Sequence, residues 1–233
     1  MKISVCLASY NGEQFIVRQL DSVVKQLKKD DQIVVVDDGS NDNTVQLLKE
    51  TYGNRIELYI NEKNLGPIKS FEKAISLAKG DIIFLCDQDD IWEDNKVQKV
   101  LECVREEDAS LVIHDAYVVD SGLKEINPSW NEYNNNHSKG IVANIIKNSA
   151  TGACMAFTRE LVPSILPFPK SIEMHDQWIA LVCMKRQKKL VYLKDRLIKY
   201  VRHGSNVTGM KKRTLNQQVK GRLGVIKAII TYK

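Results

Sequence analysis

The 233-residue chain lacks any run approaching the ~20 apolar residues of a membrane-spanning helix. The apolar stretch in its opening MKISVCLASYNG is too short for a secretory signal. Its five cysteines (Cys6, Cys86, Cys103, Cys154, Cys183) are an odd number with no CxxC spacing. That excludes a disulfide framework, and reduced, buried thiols suit the cytoplasm. Neither GxxxxGK[ST] nor GxGxxG occurs, which disfavours a P-loop kinase or a nicotinamide enzyme. There is no internal repeat. From Lys211 onward there is no acidic residue, only Lys211, Lys212, Arg213, Lys220, Arg222, Lys227 and Lys233. The net charge of +5 therefore belongs to the tail, and the first 210 residues have no basic excess with which to bind nucleic acid.

What is present is an ordinary globular composition, 43% hydrophobic and 27% charged, enough for a sizeable core. The first half alternates strand-like and helix-like segments. Strands are expected at 3–7, 33–36, 56–60, 82–86 and 111–113. Helices are expected at 13–27, 42–52, 67–78 and from about 92–95 to 105, the third stopped by Gly80. This spacing means βαβ units and a mostly parallel sheet. The second half is less regular. Residues 121–140 read as a polar loop, 153–157 as a strand, 176–184 as a helix, and 190–193 and 197–201 as two more strands. Residues 1–210 are expected to form one domain, and 211–233 a basic amphipathic appendage.

Ligands of such sheets bind at the carboxyl ends of the strands. Polar clusters follow three of them: Ser9-Tyr10-Asn11, Asp37-Asp38-Gly39-Ser40 and Asp87-Gln88-Asp89-Asp90. Crowded carboxylates repel unless a cation or donors compensate, so Asp87-x-Asp89-Asp90 suits Mg²⁺ or Mn²⁺ bound to a diphosphate. A solvated acidic turn that caps the next helix explains the same residues. Asp37-Asp38-Gly39-Ser40 reads either as a tight turn with a helix cap or as a carboxylate acceptor for a base N–H.

Taken in order, SVCLASYNG, VVVDDGSNDNT and NLGPIKSFEKAISLAKGDIIFLCDQDD resemble the family 2 glycosyltransferases, with a GT-A fold, an α/β Rossmann-like three-layer sandwich. TGACMAFTRELV, PFPKSIEMHDQW and YVRHGSNVTG are similar to the bacterial rhamnosyltransferase-like branch of that family. The likeness covers roughly residues 2–209. It implies that Ala8 and Tyr10 line a base pocket, that Asp38 accepts the base N3–H beside Asp37, and that Asn64 and Gly66 sit near the nucleotide. It implies that Asp87 meets the ribose or diphosphate and Asp89 ligates the metal. Where many relatives carry a phosphate-binding Arg, this chain has Phe71, leaving Lys69 or Lys73 as substitutes. Asp176 is the implied general base, with His175 and Trp178 beside the acceptor. Thr151 and Gly152 would lie under the donor sugar. His203 would complete the metal shell or meet the leaving group, and Arg202 would neutralise the diphosphate.

The implied reaction is a single, inverting displacement from a UDP- or dTDP-sugar, with Mn²⁺ or Mg²⁺ as cofactor. Its product would be a glycan or lipid-linked chain of a bacterial surface polysaccharide, with the rhamnosyl likeness pointing to dTDP-rhamnose. A nucleotide-sugar binding module without turnover is the rival. The residues themselves leave several roles open. An Asp at 176 is equally a helix cap, and His114 and Asp115 suit a core role as well as a sugar contact. Trp130 suits local packing as well as stacking on a sugar. The tail reads as a helix on the inner face of the plasma membrane, a helix packed on the body, or a homodimer contact.

Overall fold

The computed structural model describes residues 1–136, 140–204 and 214–232. The first half runs β1 (Ile3–Ser9), α1 (Ile16–Val24), β2 (Gln32–Asp37), α2 (Thr44–Tyr52), β3 (Glu57–Ile60), α3 (Pro67–Leu77) and β4 (Ile82–Asp87). Then follow β5 (Ile91–Trp92), α4 (Lys96–Glu107), β6 (Leu111–Asp120), β7 (Glu125–Asn127), α5 (Trp130–Tyr133) and α6 (Ile141–Ile146). The chain continues through β8 (Met155–Thr158), α7 (Val162–Ile165), α8 (His175–Lys185), β9 (Leu190–Arg202) and α9 (Leu215–Thr231).

One sheet holds the strands in the order β3-β2-β1-β4-β8-β6-β9-β5, with β7 paired to β6. The first half of the sheet, β3-β2-β1-β4, is parallel throughout, and β6 is parallel to β9. Strands β8, β5 and β7 pair antiparallel. Every residue of β2 is buried, as its unbroken apolar run requires of a strand covered on both faces. Right-handed crossovers place α1 and α2 on one face. The chain then reverses past β1 to reach β4, which carries α3 to the other face. The reversal opens a crevice at the carboxyl ends of β1 and β4, the place where such sheets bind ligands.

The second half differs from its expected outline. The polar stretch 121–140 contains β7 and α5. The carboxylate of Asp115 organises this segment by accepting from the Ser129 hydroxyl (2.6 Å) and the Asn131 N–H (3.0 Å). The two late strands are one strand, β9, whose exposed Lys194-Asp195-Arg196 interrupts the apolar pattern where the pairing with β6 shifts register, from Ile113–Tyr192 to Asp115–Arg196 and again to Tyr117–Lys199. The tail helix α9 packs against α6 and α8, burying Val225, Ala228 and Ile229. Lys185 Nζ donates to the carbonyl of Tyr232 (3.0 Å) and to that of Ile229. Residues 211–213 and 233 of the tail lie outside the described residues. Among the described residues, no helix is long and apolar enough to cross a membrane.

Helix α3 ends at the extended Ala78, two residues before Gly80, so the expected glycine stop is not what Gly80 supplies; Gly80 is fixed by close packing. Its N–H donates to Ser4 Oγ at 2.7 Å, and a Cβ there would lie 2.5 Å from the backbone of Ile3 and Ser4. Backbone cannot yield as a side-chain end can. Gly80→Ala is expected to destabilise the fold by about 1–3 kcal/mol, measured by urea unfolding. An unchanged midpoint would contradict this close approach.

Candidate active site

Strand register brings the first residues together. Ala8 pairs with Asp87 across β1–β4, and Ser9 pairs with Asp37 across β1–β2. Ala8 is part-buried and Tyr10 is exposed at the rim, where a ring is free to stack on a base. Tyr10 is held from below by Gln88, whose amide accepts from the Tyr10 N–H (2.8 Å) and donates to its carbonyl (3.1 Å). Gln88 thus ties the base end of the crevice to the acidic turn. Its position inside the Asp87–Asp90 cluster is the signal that the motif reading passed over.

The two aspartates after β2 divide the roles left open above. Asp37 is fully buried and accepts from Ser9 Oγ (2.9 Å), Ser40 N–H (2.8 Å) and Ser40 Oγ (2.6 Å). It holds the turn and does not face the crevice, which corrects its expected nucleotide contact. Asp38 accepts from Asn61 Nδ2 (2.8 Å), Leu65 N–H (3.0 Å) and Gly66 N–H (2.7 Å). That uses three of the roughly four acceptor positions of a carboxylate and leaves one for a ligand N–H. The loop so anchored carries Asn64, whose side chain also accepts from Gly66, and Gly66 sits at φ +85° before Pro67. Lys69 is exposed and paired with Glu72. Lys73 donates to Asn61 Oδ1 (2.9 Å). Phe71 is buried, with its ring stacked 4.3 Å from that of His175.

At the acidic turn, His203 comes off the end of β9 to meet Asp89, Nε2 to Oδ2 2.8 Å. Phe15, from the turn before α1, stacks on the His203 ring at 4.3 Å and fixes its plane. Arg202 immediately precedes this pair and is part-buried. Asp90 is buried and accepts from Val201 N–H (3.1 Å), and its Oδ2 has no hydrogen-bond partner among the described residues. Burial and the neighbouring Asp89 push the Asp87 carboxyl up to about 7. Burial pushes Asp90 up as well, with Asp89 and Asp87 adding to the rise.

Among the described residues, no group of three or more His, Cys, Asp or Glu forms a metal cage. Asp89 and His203 could offer two donors to a metal, with the Asp87 and Asp90 carboxyls crowded behind Asp89. That donor set fits Mg²⁺ or Mn²⁺, which commonly takes one or two protein ligands and completes its shell with phosphate and water.

The acceptor-side residues meet the same edge from β8. Because β8 runs antiparallel to β4, its leading turn, Gly152–Cys154, lies beside the end of β4. Gly152 N–H donates to Asp176 Oδ2 (3.2 Å), while Asn148 Nδ2 (3.0 Å) and Gln177 N–H (2.6 Å) donate to Oδ1. Asp176, first turn of α8, is therefore buried as an oriented acceptor. Asn148 is a positioning residue that the motif reading missed. The His175 ring lies between Phe71 and Phe168, with a buried Nε2 that has no partner among the described residues. Burial lowers its pKa, outweighing Asp176, so the ring is neutral at pH 7. A Cβ on residue 152 would lie 2.9 Å from that Nε2, so the position requires glycine.

Two tryptophans and two core residues take the bland reading. Trp178 is 2% exposed, donates to the Ile165 carbonyl (2.9 Å) and meets Tyr232 edge-on. It is a packing residue that joins α7, α8 and α9, which corrects its expected acceptor contact. Trp130 is buried, stacks on Tyr200 at 4.4 Å and donates to Thr151 Oγ1 (2.8 Å), so it fixes Thr151. Asp115 is the loop anchor described above. His114 is buried, its Nδ1 on the Asp115 carbonyl (2.7 Å), with burial and Lys96 holding its pKa well down.

Beneath the whole cluster lies Lys96, 0% exposed. Its ammonium donates to the Ala153 carbonyl (2.8 Å), stands 4.2 Å from the Trp92 ring, and is drawn down to about 8 by burial. Asp87 and Asp90 oppose that drop, and it in turn offsets their charge. Lys96 therefore binds the acidic turn to the turn that orients Asp176. Lys96→Met keeps the length and removes the charge. It is expected to cost ~3 kcal/mol by leaving buried carboxylates without their cation, measured by denaturant unfolding at pH 7. An unchanged midpoint would show that the ammonium does not hold the cluster.

Sequence and structure comparisons bear on the family and the fold. An uncharacterized glycosyltransferase of Nostoc sp. is 27% identical over 97% of this chain and 72% of its own length. The UDP-Glc:alpha-D-GlcNAc-diphosphoundecaprenol beta-1,3-glucosyltransferase WfgD of Escherichia coli is 30% identical over 51% of this chain and 47% of its own. The S. aureus TarS 1-349 structure in complex with UDP-GlcNAc superposes with a TM-score of 0.73 at 20% identity, covering 98% of this chain and 65% of that one. This likeness shows the shared GT-A-type fold, and the chain spans under two thirds of both WfgD and the TarS structure. Residues 4–166, well over half of the chain, match the family described as Glycosyl transferase family 2. The chain is a member of glycosyl transferase family 2.

Proposed function

We propose that this chain is an inverting glycosyltransferase acting on a UDP- or dTDP-sugar, with a hydroxyl of a glycan or lipid-linked chain as acceptor. The observation that carries the reading is the pairing of two poles on one sheet edge. The Asp89–His203 pair lies at one pole and the oriented Asp176 at the other, joined through the 151–154 turn. The nucleotide ends named for the TarS structures, UDP and UDP-GlcNAc, support the donor class. The name of WfgD, a glucosyltransferase acting on alpha-D-GlcNAc-diphosphoundecaprenol, supports a lipid-linked acceptor. The likeness to the rhamnosyltransferase branch supports rhamnose as the sugar.

In the reaction, the acceptor oxygen bonds to the anomeric carbon while the carbon–oxygen bond to the diphosphate breaks. The bonding electron pair leaves on the diphosphate. The hydroxyl proton passes to an Asp176 carboxylate oxygen, as a base in hydrogen-bond reach permits. Attack from the face opposite the leaving group inverts the centre. Asn148 and Gly152 aim the carboxylate, and His175 borders it as a neutral ring. When bound, Mn²⁺ or Mg²⁺ on Asp89 and His203 would supply positive charge toward the diphosphate. Arg202 adds a fixed cation beside them, where Phe71 and the Glu72-paired Lys69 supply none.

A binding module without turnover is favoured only by Phe71, at the position where an arginine would clamp phosphate. Asp176→Asn separates the two. Transfer is expected to fall by about 10²–10⁴-fold, with nucleotide affinity within roughly twofold of the parent protein by calorimetry. Equal transfer in the variant would remove Asp176 as the base. Nucleotide binding with no transfer by the parent protein, across a panel of UDP- and dTDP-sugars, would favour the module.

A further inference from the structure

The tail helix buries only one of its faces. Gly221, Val225, Ala228 and Ile229 point into the body, with Gly221 against the Glu173 carboxylate and Gly224 accepting from Ser171 Oγ (3.0 Å). The opposite face carries Val219, Leu223, Ile226 and Ile230 at i, i+4, i+7 and i+11, one continuous stripe. Leu223 is 60% and Ile230 73% exposed. Arg222 Nε donates to the Ile146 carbonyl (3.0 Å), which joins the stripe to α6. There Val142 (72% exposed) and Ile146 (57%) extend the apolar surface.

Three cations, Lys220, Arg222 and Lys227, flank the stripe, and residues 214–232 contain no acid. An apolar stripe flanked along its own helix by cations is complementary to an anionic bilayer, where acyl chains take the apolar side chains and headgroups take the cations. A second copy of this chain would set cation against cation at the rim. The position of the face matters as well. Two residues after Ile146, Asn148 donates to Asp176 Oδ1, so the patch borders the acceptor side of the crevice and not the nucleotide side.

We propose that the α6–α9 face docks on an anionic membrane surface and turns the Asp176 end of the crevice toward an acceptor anchored in that membrane. The docking stands on the surface alone, whereas the consequence for the acceptor rests on the function proposed above.

The test is flotation of the 233-residue protein with phosphatidylcholine vesicles, with and without phosphatidylglycerol, with no donor or metal present. The expected result is partition on the order of 100-fold stronger into the anionic vesicles, from three cations near the surface, falling as salt is raised. Leu223→Glu and Ile230→Glu lie on the exposed stripe and are expected to abolish binding. They should leave the melting temperature and nucleotide affinity unchanged. Lys220→Gln with Lys227→Gln should weaken only the anionic preference. No partition, equal partition into neutral vesicles, or binding untouched by Leu223→Glu would overturn the proposal. A dimer in light scattering that Leu223→Glu dissociates would also overturn it, assigning the face to a second copy. Since the assay uses no sugar chemistry, its failure leaves the proposed activity standing. Loss of that activity leaves the docking result standing in turn.

Discussion

Crowded negative charge at one sheet edge is the constraint on which the rest of the site depends. Three aspartates within four residues end β4, and Asp176 arrives from α8 close enough to raise Asp87 further. Such a cluster is costly unless its charge is offset and its oxygens are bonded. Lys96 offsets it from within, at the expense of burying an ammonium. The same ammonium holds the Ala153 carbonyl, so one group stabilises the acidic turn and fixes the turn that orients Asp176. The two poles of the crevice are built as one unit.

The strand-order reversal at β1 and β4 explains why motifs far apart in the chain meet there. The strand order itself is not readable from the sequence, but the convergence is, because each polar cluster directly follows a buried apolar run and the carboxyl edge of such a sheet is where ligands lie. The first four strands and the place of Asp38 and Asp89 after β2 and β4 are legible on that ground, whereas Asp176 and His203 are legible only through the family resemblance. Lys96 is legible in neither way. A lysine on a helix ordinarily carries its charge to water, and nothing local in the sequence marks this one as buried under two carboxylates. The resemblance places Trp178 beside the acceptor, and the sequence leaves Trp130 open between packing and stacking. The Ile165 carbonyl and Thr151 hydroxyl, distant in sequence, satisfy their indole N–H groups and make both packing residues. The polar 121–140 stretch conceals β7 and α5 because the Asp115 carboxylate that organises it comes from the middle of β6.

The tail shows how one sequence pattern carries two surfaces. Its apolar residues are spread around the helix, and composition alone leaves packing, dimerisation and membrane contact open. The structure divides them: Val225, Ala228 and Ile229 face α8, while Leu223 and Ile230 face outward among lysines and an arginine. Stability and docking thus use opposite sides of α9, and a charge placed on the outer side leaves the inner packing intact.

The account stands on Asp38, Asp89 and His203 forming a site for a metal-bound nucleoside diphosphate of uracil or thymine. The most direct measurement is a thermal-shift panel of UDP, dTDP, GDP, CDP and ADP, each with and without Mn²⁺ or Mg²⁺, since a ligand that binds only the folded state raises its melting temperature. The account predicts a shift with UDP or dTDP that requires the metal and is absent with the other three. A shift of equal size with every nucleotide, or none with any, would contradict it.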